Sequence, residues 1–217
     1  MVIELGKQNS IFNNFLSELR NIDIQNDSMR FRKNLERIGE IFAYEISKKL
    51  DYKNVDVETP LGVAHMSLLK NQPVLATILR AGLPLHQGLL NFFDKAENAF
   101  VSAYRKYDAD EEFVIKLDYI SSPLLDGKVL ILSDPMLASG GSFIASLKGL
   151  LEKGQPSHIH LVSVLSSVEG INNIKKHFSL KNITIWTGSI DDELTAKAYI
   201  VPGLGDAGDL AYGKKED

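Results

Sequence analysis

The stretch VLILSDPMLASGGS, from Val129 to Ser142, holds the pattern that decides the fold. Its first residues form a short apolar run, which predicts a buried strand at 128–133, and Asp134 follows this strand directly. A loop with two consecutive glycines then leads into a predicted helix at 142–151. Apolar strands that alternate with helices in this way indicate a parallel sheet covered on both faces.

The same alternation extends on both sides of this stretch. Further helices are predicted at 83–93 and 168–177, and further strands at 73–79, 99–104, 113–120, 159–166 and 182–187. The fold class is therefore α/β, with a doubly wound parallel sheet. In such sheets ligands bind at the carboxyl ends of the strands, so the residues that follow each strand are the candidates for a functional site.

The N-terminal part is predicted to be helical. Apolar residues recur there at steps of three and four, at 31, 35, 38, 42, 46 and 50, with Asp27 or Ser28 as the N-cap. Residues 55–66 alternate around a Pro-Leu-Gly turn and predict a β-hairpin arm. No linker interrupts the chain. We therefore expect one domain over 1–217, with N-terminal helices at about 9–50, a core at about 73–190 and a C-terminal segment at about 191–213.

The composition limits the kinds of function. Of the 217 residues, 44% are hydrophobic and 24% are charged, and the formal net charge is −4. This acidic balance gives no electrostatic support for general binding to nucleic acid or to an anionic membrane. There is no cysteine, which excludes disulfides and thiolate metal sites. No apolar run approaches the ~18 residues of a membrane span, and the N-terminus lacks a secretory signal, so we expect a cytoplasmic location.

The loop from Ala138 to Ser142 is suited to a phosphate group. Consecutive glycines allow backbone N–H groups to converge on an anion, the helix N-terminus adds partial positive charge, and Ser139 and Ser142 add hydroxyl donors. Asp134 can accept hydrogen bonds from two ribose hydroxyls. The alternative is an ordinary strand–turn–helix connection, with the aspartate as a turn former and a serine as a cap. The aspartate and both hydroxyls together favour a ribose 5-phosphate site.

Two arginines follow predicted strands, Arg80 after 73–79 and Arg105 after 99–104. Guanidinium groups match phosphate oxygens with two parallel hydrogen bonds, so this pair could clamp a diphosphate at the carboxyl edge of the sheet. The alternative for each is a solvated surface charge or a surface ion pair. The five histidines show no metal-ligand spacing with aspartate or glutamate, and we assign them no role.

A G-x-G-x-x-G pattern lies near the C-terminus, at Gly203, Gly205 and Gly208. A dinucleotide-binding fingerprint requires a strand before it, a helix after it and an acidic residue about 20 positions further on. Only DLAYGKKED follows Gly208, which leaves no room for the helix or for the acidic residue. We therefore expect that this loop serves another purpose.

Five segments form a recognisable set: LRAGL (79–83), AYR (103–105), DPMLASGGS (134–142), VEGI (168–171) and YIVPGLGDAGD (199–209). In this order and content the chain resembles the uracil phosphoribosyltransferase family, from about residue 73 to the end. The third segment indicates a phosphoribosyltransferase in general, and PGLGDAGD is specific to the uracil enzymes. The single acidic residue at the strand end, Asp134 after Ser133, agrees with the uracil branch.

The resemblance implies a sheet of the phosphoribosyltransferase type with a small C-terminal hood that binds the base. It implies that uracil and 5-phosphoribosyl-1-diphosphate (PRPP) react to UMP and diphosphate, with Asp206, Arg105 and Arg80 in catalysis. Uracil contacts are implied at Ile200, Gly205, Asp206 and Ala207. PRPP contacts are implied at Arg80, Arg105, Asp134, Pro135, Met136, Leu137, Ala138, Ser139, Gly140, Gly141, Ser142 and Asp206.

The resemblance also implies Mg²⁺ as the cofactor, held mainly by the diphosphate and water without a direct protein ligand, and at least a homodimer. The chain departs from the usual family pattern at Ser139, Val168, Leu210 and the N-terminal NSIF, where threonine, proline, a basic residue and a His-Pro pair are common. None of these departures touches the implied catalytic set. They leave open whether GTP is an effector, as it is for some members.

Two other functions stay open at this point. One is a nucleotide-sensing regulator that binds RNA on the same fold, because fold does not fix function. The acidic balance and the intact base-binding segment argue against it. The other is a phosphoribosyltransferase for a different base, which would share the phosphate loop and the two arginines.

Overall fold

The computed structural model of the chain describes the backbone of residues 1–107 and 113–215, and the side chains of 1–103 and 117–215. The α-helices in these ranges are α1 (Ile11–Arg20), α2 (Ser28–Ser47), α3 (Leu83–Phe92), α4 (Gly141–Leu151), α5 (Val168–His177) and α6 (Ala207–Tyr212). The strands are β1 (Val2–Glu4), β2 (Tyr52–Thr59), β3 (Gly62–Leu69), β4 (Val74–Leu79), β5 (Glu97–Tyr107), β6 (Phe113–Ser121), β7 (Val129–Ser133), β8 (Met136–Leu137), β9 (His158–Ser167), β10 (Ile183–Asp191), β11 (Glu193–Leu194) and β12 (Ile200–Val201). None of these helices is long and apolar enough to cross a membrane.

Within the described residues, the central sheet contains eight strands. Their order is β1-β10-β9-β7-β4-β5-β6, and the short β8 pairs with β9. Neighbouring strands run parallel, except that β6 is antiparallel to β5. The predicted α/β class with a largely parallel sheet is therefore confirmed, and the strand predicted at 113–120 is its antiparallel edge.

Helices cover both faces of the sheet. Adjacent residues of a strand point to opposite sides, so β4, β7, β9 and β10 each contribute to two hydrophobic cores. Ile131 of β7 belongs to the core that contains Phe31 of α2, whereas Leu132 belongs to the core that contains Phe143 of α4 and Ile171 of α5. This two-sided packing explains why β4 and β7 are apolar over most of their length and show no regular alternation with polar residues.

The predicted N-terminal helix is confirmed as α2. The apolar positions at 31, 35, 38, 42 and 46 are buried, and the Asp27 carboxylate accepts a hydrogen bond from the Arg30 N–H at 3.0 Å as the N-cap. A strand that was not predicted, β1, precedes the helices expected at about 9–50 and pairs in parallel with β10 at the edge of the sheet. A three-residue strand is too short to show a period in the sequence.

The hairpin formed by β2 and β3 is longer at both ends than the predicted arm at 55–66. Its side chains are largely exposed, and Leu61 at the tip is fully exposed. A second small sheet pairs β11 with β12 in antiparallel orientation just before α6. These two short sheets lie outside the central sheet, in the regions that the sequence predicts as an arm and a C-terminal segment.

The strand predicted at 99–104 extends further than expected. β5 continues to Tyr107 because β6 pairs with it as far as Tyr107 opposite Phe113. Arg105 therefore lies within β5 and does not follow its end, which corrects the predicted boundary. The register of β5 and β6 shifts between Ser102 and Ala103, so the strand is irregular three residues before Arg105.

Candidate active site

The order of the strands changes direction at β4. From β4 the chain continues to β5 on one side, and β7, β9 and β10 occupy the other side. Open α/β sheets bind ligands in the crevice that such a reversal opens at the carboxyl ends of the strands. β4 and β7 pair with Thr77 opposite Ser133, so Arg80 after β4 and Asp134 after β7 both lie at this crevice.

The loop between β8 and α4 has the geometry of an anion site. Gly140 adopts a left-handed conformation with φ of +85°, which glycine accepts without strain, and α4 begins at Gly141. Among the described residues, no side chain caps the first N–H groups of α4. These groups remain available to an oxyanion, and the half-buried Ser139 and Ser142 lie beside them.

Ser167 and residues of α5 contact this loop and fix its backbone. The Ser167 hydroxyl donates a hydrogen bond to the Ala138 carbonyl at 2.6 Å, and the Asn173 amide donates to the Ser139 carbonyl at 2.9 Å. A Cβ at Gly170 would lie 2.2 Å from the Ala138 carbonyl oxygen, so only glycine permits this approach. The VEGI segment has no assigned role from the sequence alone, although its glycine, Gly170, is the residue that allows this close contact with Ala138.

The residues before the loop are bonded to the sheet. The Asp134 carboxylate accepts a hydrogen bond from the Met136 N–H at 3.1 Å. Asp134 therefore acts as a turn former, as in the alternative interpretation of this segment. The Pro135 carbonyl accepts two N–H groups of β9 at 3.0 Å. Leu137 is buried in the hydrophobic core, so its backbone is the part that a ligand could reach.

Arg80 contacts the C-terminal segment. Its guanidinium donates hydrogen bonds to the Asp209 carboxylate at 3.0 Å and to the Gly213 carbonyl at 3.1 Å. A Cβ at Gly208 would lie 3.2 Å from Asp206 Oδ1 and 3.8 Å from Arg80 Nε. Arg80 and Asp206, which are far apart in sequence, therefore both lie close to Gly208.

The second predicted arginine, Arg105, has its backbone in β5, next to β4. Its side chain lies outside the described residues. The backbone position is compatible with the predicted clamp, because β5 extends past the carboxyl end of β4, where Leu79 pairs with Ser102. The pairing of Arg105 with Arg80 at a diphosphate stays a prediction.

The G-x-G-x-x-G segment contains a helix that the sequence analysis excluded. α6 starts at Ala207, between the second and third glycines, and the Asp206 carboxylate caps it by accepting the Asp209 N–H at 3.0 Å. The expectation of no room for a helix is therefore wrong, because six residues suffice for this short one. The preceding strand β12 pairs with β11 and lies outside the central sheet, so the βαβ context of a dinucleotide site is missing from the described structure.

The predicted base-contacting residues offer mainly backbone groups. Ile200 and Ala207 are 3% and 4% exposed, and their side chains pack into the hydrophobic core. Gly205 is exposed and has no side chain. Among the four predicted residues, Asp206 alone has a partly accessible polar side chain. A ligand in this loop would therefore be recognised by peptide N–H and C=O groups.

Arg32 of α2 is hydrogen-bonded to the end of α6. Its guanidinium donates a hydrogen bond to the Ala211 carbonyl at 2.6 Å and lies 5.9 Å from the centre of the Tyr212 ring. Burial raises the pKa of Tyr212, and the opposing effect of Arg32 and Arg80 is smaller, so the phenol is neutral at physiological pH. The C-terminal segment is thus bonded to α2 and to the end of β4.

The family model for uracil phosphoribosyltransferase matches residues 7–214. This chain belongs to the uracil phosphoribosyltransferase family. It is 54% identical over 214 residues to the uracil phosphoribosyltransferase of Porphyromonas gingivalis, and the match covers 99% of each chain. It is 38% identical over 194 residues to the uracil phosphoribosyltransferase of Methanothermobacter thermautotrophicus, and that match covers 88% of this chain and 87% of the relative. The resemblance inferred from the five segments is confirmed.

A solved structure of an Aquifex aeolicus protein shows the same architecture. The two chains are 30% identical, superpose with a TM-score of 0.86, and the match covers 98% of each. Because nearly the whole of both chains is matched, the similarity includes the N-terminal helices and the C-terminal segment as well as the parallel sheet. The fold of this member of the uracil phosphoribosyltransferase family is therefore shared beyond its central core.

The predicted Mg²⁺, held mainly by the diphosphate and water, stays a prediction for this crevice. Within the part of the chain that the structure describes, no three His, Asp or Glu side chains come together as a metal centre. The Asp134 carboxylate accepts a hydrogen bond from the Met136 N–H and the Asp206 carboxylate accepts one from the Asp209 N–H, so each acid already has a donor within the protein. Mg²⁺ keeps several waters and is commonly bound by substrate phosphates with one or two carboxylates.

Proposed function

We propose that this protein transfers the 5-phosphoribosyl group of PRPP to N1 of uracil, with UMP and diphosphate as products. The observation that carries the proposal is the arrangement at one crevice: the 138–142 loop, Asp134 and Arg80, with the segment 202–209 bonded to Arg80 through Asp209 at 3.0 Å. The first three parts suit the phosphate, the ribose and the diphosphate of PRPP. The last supplies a surface for the base.

The 138–142 loop and Asp134 bind the parts of PRPP that do not react. The N–H groups at the start of α4 and the hydroxyls of Ser139 and Ser142 bind the 5-phosphate, and Asp134 accepts hydrogen bonds from the ribose hydroxyls. Both contacts are remote from the bond that breaks. Their binding energy orients C1 of the ribose against the incoming base, which is how remote groups raise the rate of a reaction.

The arginines stabilise the leaving group. As the bond between C1 and the diphosphate oxygen breaks, positive charge develops on the ribose and negative charge on the diphosphate. The guanidinium groups of Arg80 and Arg105 bind the diphosphate and stabilise this negative charge in the transition state. Mg²⁺, when bound, would supply further positive charge that stabilises the leaving diphosphate.

The C-terminal loop selects uracil through its backbone. Uracil presents an acceptor at O4, a donor at N3 and an acceptor at O2, whereas cytosine has a donor and an acceptor at the first two positions. Backbone groups of Ile200, Gly205 and Ala207 match the uracil pattern. Cytosine would leave buried polar groups unpaired, and such a mismatch is strongly rejected.

Asp206 takes up the proton from N1 of uracil as N1 forms its bond to C1 of the ribose. The carboxylate lies near Arg80 at Gly208, and it is partly accessible. The same carboxylate caps α6, so its position is set by the hydrogen bond from the Asp209 N–H at 3.0 Å. A positioned base of this kind contributes about 10²–10⁴-fold to a rate.

We further propose that the protein is at least a homodimer. The hairpin of β2 and β3 exposes apolar side chains, among them Leu61, Val63, Met66 and Leu68. Large apolar side chains that are exposed on both faces of a hairpin favour a contact with another chain. Analytical ultracentrifugation of the wild-type protein tests this; a monomer at micromolar concentration contradicts it. A role for GTP as an effector stays a prediction.

A competition assay tests the proposed reaction. Diphosphate release from PRPP is measured with uracil, cytosine, hypoxanthine and orotate as the base, in the presence of Mg²⁺. We expect release with uracil and little with the others. Release with a different base but not with uracil would contradict the proposed substrate, and RNA binding that weakens with salt, without any diphosphate release, would favour a regulator.

A further inference from the structure

A buried ion pair lies beneath the base-binding loop and takes no part in the reaction proposed above. Arg20 is the last residue of α1 and Asp191 the last residue of β10. Their side chains form a bidentate pair with nitrogen-to-oxygen distances of 2.7 and 2.8 Å. The Asp191 side chain is 6% exposed and the Arg20 side chain 23%, so water competes little for this contact.

Both members of the pair bind the peptide groups of one loop residue, Gly203. Asp191 Oδ2 accepts the Gly203 N–H at 3.0 Å, and Arg20 Nη1 donates to the Gly203 carbonyl at 3.0 Å. Gly203 is buried and has a left-handed φ of +57°, and a Cβ there would lie 2.0 Å from the Ile200 carbonyl oxygen. The pair therefore fixes a backbone conformation that requires glycine.

The next loop residue is fixed from the same side. With its amide oriented so that the nitrogen faces the neighbouring carbonyls, Gln25 donates to Leu204 at 2.7 Å and to Leu19 at 3.3 Å. The region from α1 to α2 thus bonds to two consecutive residues of the loop. These contacts join distant parts of the chain, since Arg20 and Gly203 are 183 residues apart.

Asp191 is ionised under ordinary conditions. Burial raises the pKa of Asp191, but the Arg20 guanidinium and the Gly203 N–H lower it by more, so the pKa lies below its usual value. A carboxylate that accepts hydrogen bonds from both of these groups has little freedom to move. The position of Gly203 is consequently tied to the end of β10 and, through Arg20, to α1.

We propose that Arg20 and Asp191 are positioning residues that set the affinity and selectivity for uracil by fixing the backbone of residues 200–207. The inference rests on the proposed function, in which Ile200, Gly205 and Ala207 recognise uracil through their peptide groups. Such recognition requires the peptide groups to be held within about 0.5 Å of their productive positions. Gly203 lies between the contacting residues, so a shift there displaces both sides of the base site.

Two variants separate this role from general stability. Arg20→Lys keeps the charge but loses the bidentate geometry. The double variant Arg20→Met with Asp191→Leu replaces the pair by apolar side chains, an exchange that folded proteins often accept without loss of stability. We expect the KM for uracil to rise about tenfold or more and the preference for uracil over cytosine to fall, while the KM for PRPP changes less than about twofold.

A matched control is present in the same region. Arg30 forms a bidentate pair with Glu18, at 2.9 and 2.6 Å, which joins α2 to α1 without a described contact to the loop. Arg30→Lys should leave both KM values and the base preference unchanged. Thermal melting of each variant reports its folding, and Arg20→Lys decides the question if the double variant does not fold.

The outcomes are distinct. An unchanged uracil KM and base preference in folded Arg20→Lys overturns the proposal, and so does an equal rise in the KM values for uracil and PRPP. Uracil-dependent diphosphate release by the wild-type protein tests the proposed reaction independently of any variant. The reaction and the positioning role can therefore fail separately.

Discussion

The guanidinium of Arg80 donates a hydrogen bond to the carboxylate of Asp209 at 3.0 Å and thereby joins the end of β4 to α6. Arg80 is also the residue proposed to bind diphosphate, so the carboxylate and the diphosphate compete for one guanidinium. The two side chains are 41% and 29% exposed, and an ion pair of this kind contributes about 0.2–1 kcal/mol. Substrate can displace it at small cost, which couples diphosphate binding to the segment that carries the base site.

Asp209→Asn should tighten the binding of diphosphate. The variant removes the competing charge but keeps a hydrogen-bond acceptor for Arg80, so we expect the dissociation constant to fall by about two- to fivefold. Isothermal titration with magnesium diphosphate measures it. Glu45→Gln, in the exposed pair with Lys48 at 2.6 Å, is the control and should have no effect. Weaker binding in Asp209→Asn would mean that Asp209 is part of the substrate site.

Gly140→Ala should weaken PRPP binding. The substitution imposes a left-handed φ on alanine, at a cost of about 1–2 kcal/mol, and places a Cβ 3.0 Å from the Gly170 carbonyl oxygen. The loop must then move away from α5, and we expect the KM for PRPP to rise about tenfold with little change for uracil. Steady-state kinetics with each substrate varied in turn provides the measurement.

Gly127→Ala is the matched control for that experiment. Gly127 also has a left-handed φ, of +69°, but a Cβ there would meet nothing within 4 Å. It should lower the melting temperature as Gly140→Ala does and leave the KM for PRPP unchanged. If both variants raised this KM equally, general destabilisation and not displacement of the phosphate loop would be the cause.

Asp206→Asn should separate proton transfer from helix capping. Asparagine caps a helix as well as aspartate does, so the variant should melt within a few degrees of the wild type. It cannot accept the N1 proton, and we expect kcat to fall by about 10²-fold or more. Asp206→Ala should lose both the cap, worth about 1 kcal/mol, and the activity. Unchanged turnover in Asp206→Asn would exclude a role in proton transfer.

The central fold was predictable because its signals are local. The strand at 128–133 was predicted within one residue of β7, and the helix at 142–151 within one residue of α4. Both apolar runs are long enough to identify their elements, and the connections before and after each of the two elements carry glycine or proline. β1 escaped detection because three residues show no period, and β5 was predicted too short because its last part depends on pairing with β6.

The contacts that organise the site were not predictable. Arg20 and Asp191 are 171 residues apart, and Arg80 and Asp209 are 129 apart, so no local pattern links them. The sequence identified Arg80 and Asp206 by their place after a strand and within a family segment. It gave no sign that Asp206 caps a helix, because a six-residue helix between glycines looks like a loop. Contacts of this kind depend on the assembled fold, so the sequence alone does not predict them.

His160 should make stability fall in mild acid. The side chain is 2% exposed, and its Nδ1 accepts a hydrogen bond from Trp186 Nε1 at 3.0 Å. Burial, with a smaller effect of the neighbouring His158, lowers the pKa of His160 to about 3. Between this value and the ordinary pKa of about 6.5, the unfolded chain binds a proton that the folded chain does not. The free energy of unfolding is therefore unaffected by this histidine above pH 6.5 and decreases as the pH falls below that value.

Urea unfolding at several pH values measures this effect. For His160 alone, we expect the free energy of unfolding to drop by about 2 kcal/mol from pH 7 to pH 5, and His158, whose pKa burial also lowers, acts in the same direction. His160→Gln keeps an acceptor for Trp186 but has no proton to gain, so it should show a shallower decrease over this range. An equally steep decrease in His160→Gln would assign the acid sensitivity to other groups, because the variant removes the titration and leaves the remaining charges in place.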